Sequence, residues 1–380
     1  MEAMIHVEKF LTEQQKKQTP AFHLSVDATN TKTILTIQAL PQKSSGEITL
    51  QKFSDSEYAK KTTLTSSQSN QYALISAPRC KDAALAPLLC YFALRQARLW
   101  GCLHVLTEET LPAFFALSPV STLPRFSSQK ISSAIFHAYQ QCDAAQRAFI
   151  QPYFIREVME TFQGWLNSFF HGSWFNAVAS ESITQTQYIA TLFHAHQFVR
   201  YTTRLAARCV TLCDNRELRN HYLHHLKGEI NHELIIESDL KALKADVAYL
   251  LNDDVPNAIS SEFMVVQEAV TAYRQDPVLM LACPFAAEGM TANISHDFVD
   301  HLHAAIQSWG IAAPAESVSR FLTSHMKTDG GDDGHWINVI ARIDQFVHTE
   351  KQLQAFLTIF HLATNGYSRG LNACIDDFAL

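Results

Sequence analysis

The sequence has no surplus of basic residues. Its 30 Lys and Arg stand against 37 Asp and Glu, for a net charge of -7 at neutral pH. A general nucleic-acid binder needs excess cations to replace phosphate counterions, so that class is excluded. There is also no CxxC pair and no zinc-ribbon spacing among the eight cysteines (Cys80, Cys90, Cys102, Cys142, Cys209, Cys213, Cys283 and Cys374), which read as reduced, mostly buried thiols. No run approaches the ~20 apolar residues of a membrane span, and Met1–His6 lacks the basic-then-apolar pattern of a secretory leader. The expectation is a cytoplasmic protein with neither membrane nor nucleic acid as partner. Low-complexity tracts are absent, and 47% hydrophobic with 18% charged residues leaves little room for extended disorder.

What is present falls into two parts. The first ~125 residues carry the β character: 31–38 alternates polar with apolar residues, 47–50 does so briefly, and 71–76 reads as a further strand. Residues 62–70 are polar and read as a loop, 83–99 as a helix ended by Gly101, and 103–106 as a strand. Strand, helix, strand implies a small α/β domain over residues 1–125. Residues 112–128, with Pro119 and Pro124, read as a connection. From residue 130 to 380 apolar residues recur at helical spacing. Helices are expected near 131–147, 151–171, 183–212, 216–247, 260–275, 278–308, 315–326 and 335–363. The fold class is therefore mainly α, a helical bundle preceded by a small α/β domain.

Three segments of the helical part carry metal-type side chains. In the first, Glu229 and His232 are three apart, with His225 one turn earlier on the same stripe. Glu-x-x-His is a pairing with which helical bundles hold two iron or manganese ions. In the second, Glu288 is a lone carboxylate within the apolar stretch 278–294, where it must be paired, protonated or metal-bound. In the third, His325, Asp329, Asp332, Asp333 and His335 offer imidazole and oxygen donors within eleven residues, although a glycine-rich interhelical loop with an Asp cap explains the same residues. His194 and His196, on an apolar helix, are expected to be core residues.

The order Glu229-x-x-His232, then Glu288, then His325 followed by Asp and His resembles the haem-oxygenase-like di-iron oxidases, over roughly residues 145–365. In that family a later helix supplies a bridging Glu fifty-odd residues on, and a final helix supplies His-x-x-x-Asp-x-x-His. Here the separations are 56 and 37 residues. The resemblance implies a haem-oxygenase-like helical fold with Glu229, His232, Glu288, His325, Asp332 and His335 binding two irons, and with Glu229 and Glu288 as the catalytic carboxylates. It also implies dioxygen as co-substrate and the oxidation of a fatty acid, amino acid or aromatic precursor. Three extra residues between His325 and His335 leave Asp329 open as the alternative to Asp332. Manganese suits the same donors, and a homodimer stays open.

In the N-terminal part, residues 73–101 resemble the core of the GNAT-type acyltransferases, in which a strand leads through a Gly-rich turn into a helix that binds the acyl carrier's pyrophosphate. Asp82 and Ala84 stand where glycines are expected, which implies a degenerate module. An unrelated α/β module is the alternative. For the whole chain, the rival readings are a cofactor-independent or hydrolytic enzyme of the thiaminase-II type and a non-enzymatic binding scaffold.

Overall fold

The computed structural model describes residues 22–28, 32–40, 44–52, 71–107, 111, 115, 118–120, 123–256, 258–331 and 334–377. They fall into two compact units, one ending at Glu160 and including His348–Gln354, the other comprising Thr161–Val347 and the residues from Ala355.

The first unit is built on a mixed sheet. Its strands are β1 (Phe22–Ala28), β2 (Thr33–Ala39), β3 (Ser45–Lys52), β4 (Tyr72–Ile75), β5 (Arg79–Cys80), β6 (His104–Thr107), β7 (Ser118–Val120) and β8 (Leu123–Lys130), ordered β1-β2-β3-β4-β6-β8-β7 with β5 added to β3. Neighbours are antiparallel except β4 and β6, which are parallel and joined through helix α1 (Ala86–Leu99). Period-two alternation holds in β2, where Leu35, Ile37 and Ala39 are buried, and α1 is buried along Leu88–Leu94.

β1 falls where no strand is expected, and the expected connection at 112–128 contains β7 and most of β8. Their prolines are tolerated because β7 is the edge strand and β6 pairs β8 only at 127–130, beyond Pro124. The loop expected at 62–70 lies outside the described residues.

Helices α2 (Ile131–Gln141), α3 (Ala144–Ile150) and the start of α4 (Pro152–Phe169) belong to the same unit. Arg98 binds Glu157 through two nitrogens and Glu350 through a third contact of 2.5 Å, Arg95 binds Glu157 and Glu160, and Tyr91 donates to Glu350 at 2.9 Å. This buried network ties residues 157–160 and 350 to α1, so the unit extends well past residue 125.

The second unit is all helical. It contains α5 (Ser173–Ala179), α6 (Gln185–Leu212), α7 (Arg216–Gly228), α8 (His232–Ala242), α9 (Val247–Asn252) and α10 (Ala258–Glu268), which continues as a π-helical turn at Ala269–Arg274. Then come α11 (Pro277–Met280), α12 (Ala282–Asn293), α13 (His296–Ser308), α14 (Arg320–Asp329), α15 (His335–Phe346) and α16 (Glu350–Asp376), whose residues from Ala355 belong here. Several of the expected helices are interrupted: 131–147 breaks at Cys142–Asp143, 216–247 at 229–231, 278–308 at Ile294–Ser295, where Ser295 caps α13, 315–326 at Val318–Ser319, and 335–363 at 347–349. Phe162, Phe285, Trp336 and Phe360 form an aromatic core with ring centroids 5.0–6.4 Å apart. It depends on Gly289, whose place admits no Cβ: one would lie 2.6 Å from both Phe162 and Trp336. No single helix among the described residues is long and apolar enough to cross a membrane.

Candidate metal centre

Helix α7 starts at an Asn215 cap and stops at Gly228. The chain then turns through Asn231, which takes the left-handed conformation (φ 67°) that asparagine tolerates, and restarts as α8 at His232. Glu229 and His232 are thus not neighbours on one helical face, as their spacing predicts. They flank a break, which still brings Glu229 Oε2 within 3.2 Å of His232 Nδ1. His225, one turn before Glu229, places Nδ1 3.3 Å from Glu288 Oε1 of α12.

The third segment comes from α14 and α15. On α14, His325 and Asp329 are four apart and share a face. The helix is anchored by buried Asp239, whose carboxylate accepts from the Phe321 amide at 2.8 Å and from Arg320 Nε at 3.1 Å. His325 Nδ1 lies 2.8 Å from the Phe321 carbonyl, which can only accept, so Nδ1 carries the proton and Nε2 keeps its lone pair. Asp329 is 2% exposed; its Oδ2 accepts from Thr291 Oγ1 at 2.5 Å and its Oδ1 lies 3.5 Å from His335 Nδ1. His335 packs over Gly228, where a Cβ would stand 3.0 Å from the ring.

His225, Glu229, Glu288 and His335 each offer a ligand atom within 4.8 Å of the others, a geometry in which a metal ion can be held. His232 and His325 adjoin this group with ring centroids 4.7 Å apart. Of the residues singled out from sequence, the fold therefore gathers Glu229, His232, Glu288, His325 and His335, together with Asp329. Asp332 lies outside the described residues. His225 and Thr291 were not counted as site residues, although the four-residue step from His225 to Glu229 is visible in the chain. His194 and His196 lie elsewhere: both rings are buried without hydrogen-bond partners, and His196 Nε2 is 3.5 Å from Glu237.

The electrostatics fit a cation. Burial pushes the Glu288 carboxyl well above the usual carboxylate range, and the nearby Asp329 and Glu229 push it the same way. Both its oxygens are buried without a hydrogen-bond partner, a costly arrangement for a carboxylate. Burial likewise raises Asp329 to about 7, against the Thr291 hydrogen bond. Burial would also raise Glu229, but His232, His225 and His325 outweigh it and hold that carboxyl at about 2. Burial lowers His225 and His325, and takes His335 to about 4, so these imidazoles favour the neutral form that binds metals.

A cavity of about 120 Å³ opens onto the cluster at His225, Glu229, Glu288, His325 and Asp329 and runs between α6, α10, α12 and α16. Its walls are mostly apolar, including Leu192, Ala195, Phe198, Val199, Leu205, Met280 and Leu371, and no described lining residue is Lys or Arg.

No family model and no curated protein matches the chain. Among solved structures, a domain of unknown function with a haem oxygenase-like fold from Shewanella denitrificans OS217 is similar with a TM-score of 0.50 and 17% identity, over 59% of this chain and 93% of that domain. A TenA homolog from Pseudomonas syringae pv. tomato DC3000 gives a TM-score of 0.47 and 10% identity, over 58% and 92%. The first likeness shows a haem oxygenase-like fold, here enclosing a buried His/Glu cluster able to bind a metal.

Proposed function

We propose that the helical unit is a non-haem di-iron oxidase that uses dioxygen to oxidise an apolar small molecule seated in the cavity beside the cluster. The observation that carries this reading is Glu288. A buried carboxylate neither of whose oxygens is hydrogen-bonded, next to two further carboxylates and four imidazoles, is what a dinuclear cation would neutralise. In this reading His225, Glu229, Glu288 and His335, with His232, His325 and Asp329 beside them, would hold the metal ions. Iron bound there would supply the reduction of dioxygen, and manganese is compatible with the same donors.

The chain's own groups do the positioning. The Thr291 hydroxyl fixes the Asp329 carboxylate, and the Phe321 carbonyl fixes the tautomer of His325. The apolar walls exclude water from the reacting end of the substrate. Because no lysine or arginine lines the described cavity, an aliphatic chain or aromatic ring suits it better than a zwitterionic amino acid.

We read the sheet unit as a degenerate acyltransferase-like module. Parallel β4 and β6 flank α1, but the Asp82 carboxylate accepts from the Ala84 amide at 3.0 Å, so the approach to α1 presents a negative charge where a phosphate would need amides.

The test is anaerobic loading with ferrous iron followed by metal analysis and exposure to oxygen. Two irons per chain and oxygen uptake stimulated by an aliphatic or aromatic acid are expected. A folded chain that stays metal-free ends this reading.

A further inference from the structure

The stripe of α7 that ends at Glu229 begins far from it. Glu217, His221, His225 and Glu229 follow one another at four-residue steps, the spacing that aligns side chains along one helix face at ~6 Å per step. The stripe descends from solvent to interior, since the Glu217 side chain is 61% exposed and that of Glu229 8%. The His221 and His225 rings are 6.3 Å apart and nearly parallel. A second imidazole, His224, stands 6.0 Å from His335, which is itself 6.1 Å from His225. His221 and His224 line an open cleft between α7 and α15 of about 570 Å³, and the buried Nε2 of His221 has no hydrogen-bond partner. Each of the two cleft imidazoles therefore stands about 6 Å from an imidazole of the cluster, His221 beside His225 and His224 beside His335. None of the structural bonds described above uses His221 or His224.

We propose that His221 and His224 form the loading path of the metal centre, receiving a divalent cation from the cleft and passing it by ligand exchange to His225 and His335. This rests on the metal-centre reading above. Imidazole suits such a relay because each handover replaces one neutral nitrogen donor by another, with no change in the charge of the path. At the mouth the Arg342 guanidinium lies 3.8 Å from Glu217, which also accepts from Gln345. The one carboxylate among the described cleft residues is thereby engaged, and the imidazoles that line the cleft are His221 and His224.

The experiment mixes metal-free full-length protein with Co(II) in a stopped-flow instrument and follows the visible ligand-field bands, with final cobalt per chain measured separately. For His221→Ala/His224→Ala, loading at least about tenfold slower than wild type is expected, with the same final stoichiometry and spectrum. The exposed single variant His224→Ala, which leaves the buried ring in place, should be slower by a smaller factor, and Arg342→Gln should load no slower than wild type. An unchanged rate in the double variant, or a changed final spectrum that marks the two histidines as ligands of the centre itself, overturns the proposal. Wild-type protein that takes up no cobalt overturns the metal-centre reading instead.

Discussion

Asp329 Oδ1 and His335 Nδ1 stand 3.5 Å apart, although a glycine-rich turn separates them in the chain. Gly334 approaches the end of α14 so closely that a Cβ there would lie 2.3 Å from the Asp329 carbonyl oxygen. A helix end and a helix start are thereby brought together, with the Asp329 carboxylate beside the His335 imidazole. Asp329→Asn is expected to lower metal per chain or weaken affinity by about 10- to 100-fold, whereas Asp332→Asn leaves both unchanged. Metal analysis after dialysis separates the two, and the opposite ranking assigns the ligand to Asp332.

In the proposed centre, Glu288 would set cation binding against the stability of the metal-free protein. Glu288→Gln removes the need to bury an acid among acids, so the metal-free variant should melt no lower than wild type while losing most bound metal. Paired calorimetry and metal analysis check this. A strongly lowered melting temperature without metal would mean that the carboxylate is a structural partner.

The cavity predicts a separation of binding from loading. Ala195 lines it from α6 and belongs to none of the ligand residues. Ala195→Phe should leave metal content intact and raise KM for an apolar substrate by roughly 10-fold or more, the scale expected for overfilling a tight apolar site. Steady-state oxygen uptake measures it.

Arg98 is the hub of the sheet unit. Arg98→Met leaves Glu157 and Glu350 facing each other in the interior, and removing one partner from a buried ionic network costs about 3–5 kcal/mol. Denaturant unfolding is expected to show a loss of that order; a loss below about 1 kcal/mol would show the network to be solvated.

His194 gives a pH prediction away from the cluster. Burial lowers it to about 4, from 6.5 for an ordinary histidine. Between those values the unfolded chain binds a proton that the folded chain refuses, so stability falls as pH drops from 6.5 towards 4, by roughly 3 kcal/mol in full. His194→Gln should flatten that slope in metal-free protein. Melting curves at pH 7, 6, 5 and 4.5 on both proteins decide it, and parallel slopes would contradict the assignment.

The sequence alone determined the division into a β-bearing part and a helical part, because period-two and 3.6-residue patterns are local properties of the chain. It also exposed the donors at Glu229, His232, His325 and His335 through their spacing, and Glu288 because a lone carboxylate within an apolar stretch is conspicuous wherever the helix packs. Only the tertiary structure decided how they meet. The break at Asn231 turns an apparent helical pair into two helix ends, the Gly334 turn brings Asp329 to His335, and α7 delivers His225, whose importance depends on Glu288 arriving from 63 residues further along the chain. Where prolines fall among the strands, pairing rather than composition settled that 118–120 and 123–130 join the sheet. The physical reason is the same throughout: periodicity reports which face of an element is buried, whereas a site depends on which elements bury their faces against one another, and no stretch of sequence contains both.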